Sequence, residues 1–218
     1  MMVKPAVRGE PLTVPGPVGA LEALLEGPKD PSRAVAVVCH PHPLHQGSMH
    51  NKVVHSLSRA FAAAGARVMR FNFRGVGESE GRYDEARGET DDAVAVARWM
   101  REQHPECPLW LGGFSFGAQV ALQAAGELDP ALLVTVAPPV PRFIENPPRR
   151  PACPWLLVQG EADEVVDPDT VIQWARSDSP RPELVTLPDT SHFFHRRLGE
   201  LQSRVTEFLE AHSDREAI

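Results

Sequence analysis

Long apolar runs are missing from this 218-residue chain. The stretch Ala34–Cys39, which leads into the most histidine-rich segment, is far shorter than the ~20 residues a membrane-spanning helix needs. The opening residues, MMVKPAVRGEPLTVPG, lack the apolar core of a secretory signal. Cysteine is scarce. Cys39, Cys107 and Cys153 are three in number, far apart and without a Cys-x-x-Cys pair. That pattern predicts free thiols, each a small buried hydrophobe, in a reducing cytoplasm. Positive charge is not in excess either: 22 Lys and Arg face 29 Asp and Glu, a net charge of -7. A nucleic-acid or anionic-membrane surface needs clustered cations, so neither partner is expected. There is no low-complexity tract and no internal repeat.

What is present is ordinary for a soluble globular protein: 42% apolar and 23% charged residues, enough chain to bury a sizeable core as one domain spanning 1–218. Strand-like and helix-like segments alternate. LEALLEG reads as one arm of an early antiparallel hairpin, and AVAVVC (34–39) as a strand covered on both faces. NKVVHSLSRAFAAAG (51–65) places Val54, Leu57, Ser58 and Phe61 on one helical face and stops at Gly65. ARVMRFNF, PLWLGG, ALLVTVA, WLLVQG and ELVTL read as further strands. Between and after them come helices over 88–104, FGAQVALQAAGEL, 168–177 and the closing RRLGELQSRVTEFLEAH. Such alternation predicts an α/β fold, a mostly parallel sheet with helices on both faces. In such sheets ligands bind beyond the carboxyl ends of the strands, so residues just after each strand carry the functional interest.

One post-strand segment is CHPHPLHQGSMH, with His40, His42, His45 and His50 among the chain's nine histidines. His40, His42 and His45 fit the H-x-H-x-D-H spacing of binuclear zinc hydrolases, except that Leu44 stands where the aspartate belongs. Leucine cannot ligate a metal, and prolines at 41 and 43 restrict the backbone. A three-histidine zinc site remains chemically allowed. His50 and His55 are expected on the first helix as ordinary polar or core residues.

A second post-strand segment is more specific. PLWLGG runs into GFSFG, residues 113–117, and a small-residue helix follows. This is G-x-S-x-G in strand-turn-helix context, a nucleophile elbow, with glycines where side chains would collide with neighbouring elements. The helix N-terminus beyond Ser115 favours developing negative charge. A nucleophilic serine needs a base, and the base an orienting acid. Asp163 falls just past WLLVQG and His192 just past ELVTL, in that order and at the expected sheet edge. Glu161, Glu164 and Asp167 are neighbouring acids that read as solvated loop charges. His195 competes with His192 but is expected in the first turn of the final helix. Arg74, Gly75 and Gly77 read as structural residues of a turn-rich loop.

CHPHPLHQGSMHNKVV, RFNFRGVGESEG and GGFSFGA together make the chain resemble α/β hydrolases over nearly its whole length. More narrowly, it is similar to small bacterial serine hydrolases related to dienelactone hydrolases. The resemblance implies a Ser115–His192–Asp163 triad, hydrolysis of an ester-like bond in a small molecule, and no cofactor. It also implies an oxyanion hole with one N–H from Phe116 and another from the loop after the third strand. Leu44 is the expected second donor, with His42 the alternative if His40-Pro41 is the true equivalent of the usual His-Gly. The span PPVPRFIENPPRRPACP leaves no room for a substantial lid, so an open site is expected. A catalytically idle scaffold used for binding, and a metallohydrolase built on the histidine loop, are the rival readings.

Overall fold

The computed structural model describes residues 9–29, 33–144 and 147–213. The first eight residues, half of the segment read above for a secretory signal, therefore lie outside the described residues. Eight strands form one sheet in the order β1-β2-β4-β3-β5-β6-β7-β8. β1 (Glu10–Gly16) and β2 (Gly19–Glu26) are the early hairpin, and β2 pairs antiparallel with β4 (Ala66–Phe71). β3 (Ala34–Cys39), β5 (Leu109–Phe114), β6 (Leu132–Val136), β7 (Trp155–Gly160) and β8 (Glu183–Leu187) complete a parallel array with β4.

The valine-rich β3 shows why its sequence does not alternate. Val35, Val37 and Cys39 join the core on one face, and Ala34, Ala36 and Val38 join the core on the other. Both faces are buried, so every position is apolar. The first core is closed by α2 (Arg87–Gln103), α3 (Phe116–Leu128) and α4 (Pro168–Ser177); the second by α1 (Lys52–Ala63) and α5 (Leu198–Ser213). The helical face of α1 is as expected, with Val54, Leu57, Ser58 and Phe61 all buried. Asn51 caps α1 through its side chain, accepting the Val53 and Val54 N–H groups at 2.8 and 3.4 Å, a contribution of about 1 kcal/mol. Gly65 follows at φ 96°, a left-handed conformation that ends the helix.

Three expectations need correction. His50 lies in the turn before α1, where its N–H donates to Ser48 Oγ, and only His55 is helical. His195 lies in the turn before α5, which begins at Leu198. Cys39 is buried, but Cys107 and Cys153 are only half-buried. The span from Pro138 to Pro154 contains just one three-residue 3-10 turn, Val140–Arg142, among its described residues, so no lid helix covers the sheet edge there. Among the described residues no helix is long and apolar enough to cross a membrane.

Candidate active site

β5 delivers Ser115 to the carboxyl edge of the sheet. Its φ of 55° places it in the left-handed region, and its N–H donates to the Val136 carbonyl of the neighbouring strand at 2.8 Å. The flanking glycines are required by space, not by conformation. A Cβ at Gly113 would sit 2.1 Å from the Gly117 carbonyl oxygen, and one at Gly117 would sit 2.3 Å from the Cys39 carbonyl oxygen. Sharp reversal and close approach together leave the Ser115 hydroxyl at the start of α3.

The turns after β7 and β8 bring up the other two groups. His192 Nε2 lies 3.1 Å from Ser115 Oγ, and His192 Nδ1 lies 2.8 Å from Asp163 Oδ2. The Asp163 pairing makes Nδ1 the proton-bearing nitrogen and leaves the Nε2 lone pair facing the hydroxyl. Asp163 is itself tightly held. Oδ1 accepts the Val165 and Val166 N–H groups at 2.9 and 2.8 Å, and Oδ2 also accepts from Gln159 Nε2 at 3.1 Å. Burial pushes its pKa upward, but the hydrogen bonds from His192 and these amides outweigh burial and hold the carboxyl below its ordinary range.

The neighbouring acids have other jobs. Glu164 accepts the His192 backbone N–H at 3.1 Å, pinning the loop that carries the imidazole, and Asp167 caps α4 through Thr170. Glu164 was not expected to act on the site at all. Phe114 and Phe193 flank the His192 ring with centroids 5.0 and 5.1 Å away.

The histidine loop packs beside the serine. His40 is fully buried and holds both ring nitrogens in hydrogen bonds: Nε2 accepts the Phe73 N–H at 3.1 Å, and Nδ1 donates to the Pro41 carbonyl at 2.6 Å. Burial drives its pKa down to about 3, so the ring is neutral. Fixing the Pro41 oxygen also fixes the His42 N–H, because the peptide unit is planar and trans. Gly47 closes over the same carbonyl, with room for no Cβ.

The Leu44 N–H, the expected second oxyanion donor, is already engaged. Pro43–His45 form a 3-10 turn in which the Leu44 N–H donates to His42 Nδ1 at 3.2 Å, and the Leu44 side chain is 67% exposed. His42, by contrast, lines a cavity of about 210 Å³ with Ser115 and Phe116, and its own N–H has no partner among the described residues. As the first residue of α3, Phe116 has an N–H that the helix cannot satisfy.

His40 and His42 are thus held by separate partners, and among the described residues no three His, Cys, Asp or Glu side chains are grouped as metal ligands. The remaining cavity walls were not legible from motifs: Pro139, Pro141 and Arg142 after β6, and Val165 and Val166 after β7. Their position just past strand ends was the available signal.

A family model described as alpha/beta hydrolase fold matches residues 44–145. An uncharacterized protein of Rickettsia prowazekii is 31% identical over 210 residues, covering 89% of this chain and 86% of its own. Among solved structures, an α/β serine hydrolase without a lid from Xanthomonas campestris is 44% identical, with a TM-score of 0.88 and 97% of both chains covered. An α-β serine hydrolase homologue from Coxiella burnetii is 42% identical with a TM-score of 0.86, covering 94% of this chain and 99% of its own. With that much of both sequence and backbone in common, the chain belongs to the α/β hydrolase family, and hydrolysis is the class of activity this membership supports.

Proposed function

We propose that the chain is a single-domain cytoplasmic serine hydrolase that cleaves small carboxylic esters through an acyl-enzyme on Ser115. The observation that carries this reading is the unbroken hydrogen-bonded chain Ser115 Oγ–His192–Asp163 at 3.1 and 2.8 Å. His192 Nε2 takes the hydroxyl proton as Oγ attacks the carbonyl carbon. The resulting oxyanion is held by the N–H groups of Phe116 and His42, each worth about 3 kcal/mol of transition-state stabilisation. The imidazolium then protonates the departing alcohol, leaving the acyl group on Ser115. Water, deprotonated by the same nitrogen, attacks the acyl carbon, and the acid leaves as Ser115 recovers its proton. Asp163 keeps the Nδ1 proton in place and stabilises the transient cation.

The chemistry as proposed uses these side chains, the two backbone N–H groups and water. The open cavity beside Ser115 favours short acyl chains over long lipid tails. A panel of short esters, a thioester, an amide and a lactone, run on the protein and on Ser115→Ala, tests the reading. Loss of all turnover in a folded Ser115→Ala variant is expected, together with fluorophosphonate labelling of Ser115 in the parent. Turnover that survives the substitution overturns the assignment. A folded parent that neither labels nor hydrolyses any of the panel points to a binding scaffold.

A further inference from the structure

The cavity at Ser115 has an asymmetric lining. Its polar members are Ser115, His42, His45 and Arg142, and no lining residue is acidic, although the chain as a whole carries a net charge of -7. The rest of the wall is proline, valine and the Phe116 ring. Arg142 lies in the 3-10 turn after β6 and makes no ion pair with any carboxylate among the described residues. Its guanidinium carbon stands 5.8 Å from the centroid of the Phe116 ring, the residue next to the nucleophile. A cationic fork left without an anion, on the wall of a cavity that holds the reactive serine, is poised to meet one brought by a ligand.

The proton inventory around Arg142 supports this. His42 is neutral, its pKa pushed down to about 4 by burial and by the charges of Arg142 and His45. Because His42 Nδ1 accepts the Leu44 N–H, its ring proton must be on Nε2, which faces Tyr83 Oη at 3.2 Å. Tyr83, the chain's only tyrosine, also accepts from Arg142 Nη2 at 3.4 Å. The phenolic oxygen thus receives two N–H donors, and its own proton is left for an outside acceptor. Arg142, Tyr83 and His42 form a group of donors without an acceptor to complete it.

We infer that Arg142, supported by Tyr83, binds a carboxylate on the substrate, so that the preferred esters are monoesters of short dicarboxylic acids. The inference rests on the proposed Ser115 hydrolase and names its substrate class. One guanidinium matches one planar, singly charged carboxylate, whereas a doubly charged phosphate calls for more than one cation. The apolar wall then receives the methylenes between the carboxylate and the scissile carbonyl.

The test compares p-nitrophenyl hydrogen glutarate with p-nitrophenyl butyrate as substrates, reading the ratio of their kcat/KM values. The parent is expected to prefer the glutarate monoester. Arg142→Gln is expected to lower that ratio roughly ten- to hundredfold, the range for losing a charged hydrogen-bonded pair, and Arg142→Lys to restore part of it. The preference should also weaken as salt is raised. A parent with no preference, or a ratio unchanged in Arg142→Gln, overturns the inference. Calorimetric binding of the same monoester to Ser115→Ala, with and without Arg142→Gln, reads the subsite without chemistry: loss of binding in the double variant is expected, and equal binding overturns it. An inactive Ser115→Ala together with an unchanged ratio in Arg142→Gln refutes the subsite alone, whereas a fully active Ser115→Ala refutes the hydrolase mechanism.

Discussion

The backbone of Gly117 lies directly against the Cys39 carbonyl, so closely that a Cβ at 117 would be 2.3 Å from that oxygen and 2.5 Å from the His40 oxygen. The start of α3 and the end of β3 are thereby locked together, and with them the two amides proposed to hold the oxyanion. Gly117→Ala cannot be relieved by a side-chain movement, because both obstacles are backbone. The expected outcome is a fall in kcat of a hundredfold or more, roughly the loss of one oxyanion donor, alongside a destabilisation of about 1–3 kcal/mol. Steady-state kinetics and urea unfolding of the variant check the two effects separately.

Asp163→Asn addresses the proton on His192. An asparagine can still accept the Val165 and Val166 amides through its oxygen, so the loop is expected to keep its shape. Its amide N–H₂ would face Nδ1, favouring the tautomer with the proton on Nε2, where it can no longer accept from Ser115. A drop in kcat of about three to four orders of magnitude is expected at neutral pH, with the unfolding midpoint changed little. Activity within tenfold of the parent would remove Asp163 from its proposed role.

His40 gives the fold a defined sensitivity to acid. Its pKa is about 3 in the native state against 6.5 for the unperturbed group, so below pH 6.5 the unfolded chain binds a proton that the native state refuses. Stability is complete above pH 6.5 and declines as the pH falls towards 3, by up to on the order of 4 kcal/mol from this residue. Urea midpoints measured between pH 7 and pH 4 should decrease steadily. A flat profile across that window would show that His40 is not held neutral as described.

Arg74 and Asp92 make the fourth case. Arg74 Nη2 and Nε donate to both carboxylate oxygens at 2.7 and 3.0 Å, its backbone N–H adds a further bond to Asp92 at 2.9 Å, and both side chains are buried. The pair fixes the loop after β4 onto α2. Arg74→Ala leaves a buried carboxylate uncompensated and is expected to destabilise the protein by about 3–5 kcal/mol, read as a lower urea midpoint.

Much of this was legible in the sequence because the signals were redundant. β3 was marked by a valine-rich run with apolar residues on both faces, α1 by its face and Gly65, and the elbow by a motif between a strand and a small-residue helix. Asp163 and His192 were legible as candidates because the carboxyl ends of β7 and β8 restrict where a base and its acid can stand. The choice between Leu44 and His42 was not legible because it depends on a single 3-10 turn that hands the Leu44 N–H to a neighbouring ring. That is a matter of backbone path, and residue types do not encode it visibly. Arg142 and Tyr83 were hidden for another reason: they meet each other and His42 across 59 and 41 residues of chain, with no local pattern to join them. Glu164 was invisible as a loop fastener for the same reason, since it grips a backbone amide 28 residues away.

The left-handed backbone at Ser115 carries a wider consequence. A serine at φ 55° pays a local conformational penalty that a glycine there would escape, so the least strained sequence at this position is also an inert one. A change to glycine would relieve that strain and remove the proposed nucleophile in one step. On the proposed mechanism, stability and turnover therefore make opposite demands on this one residue.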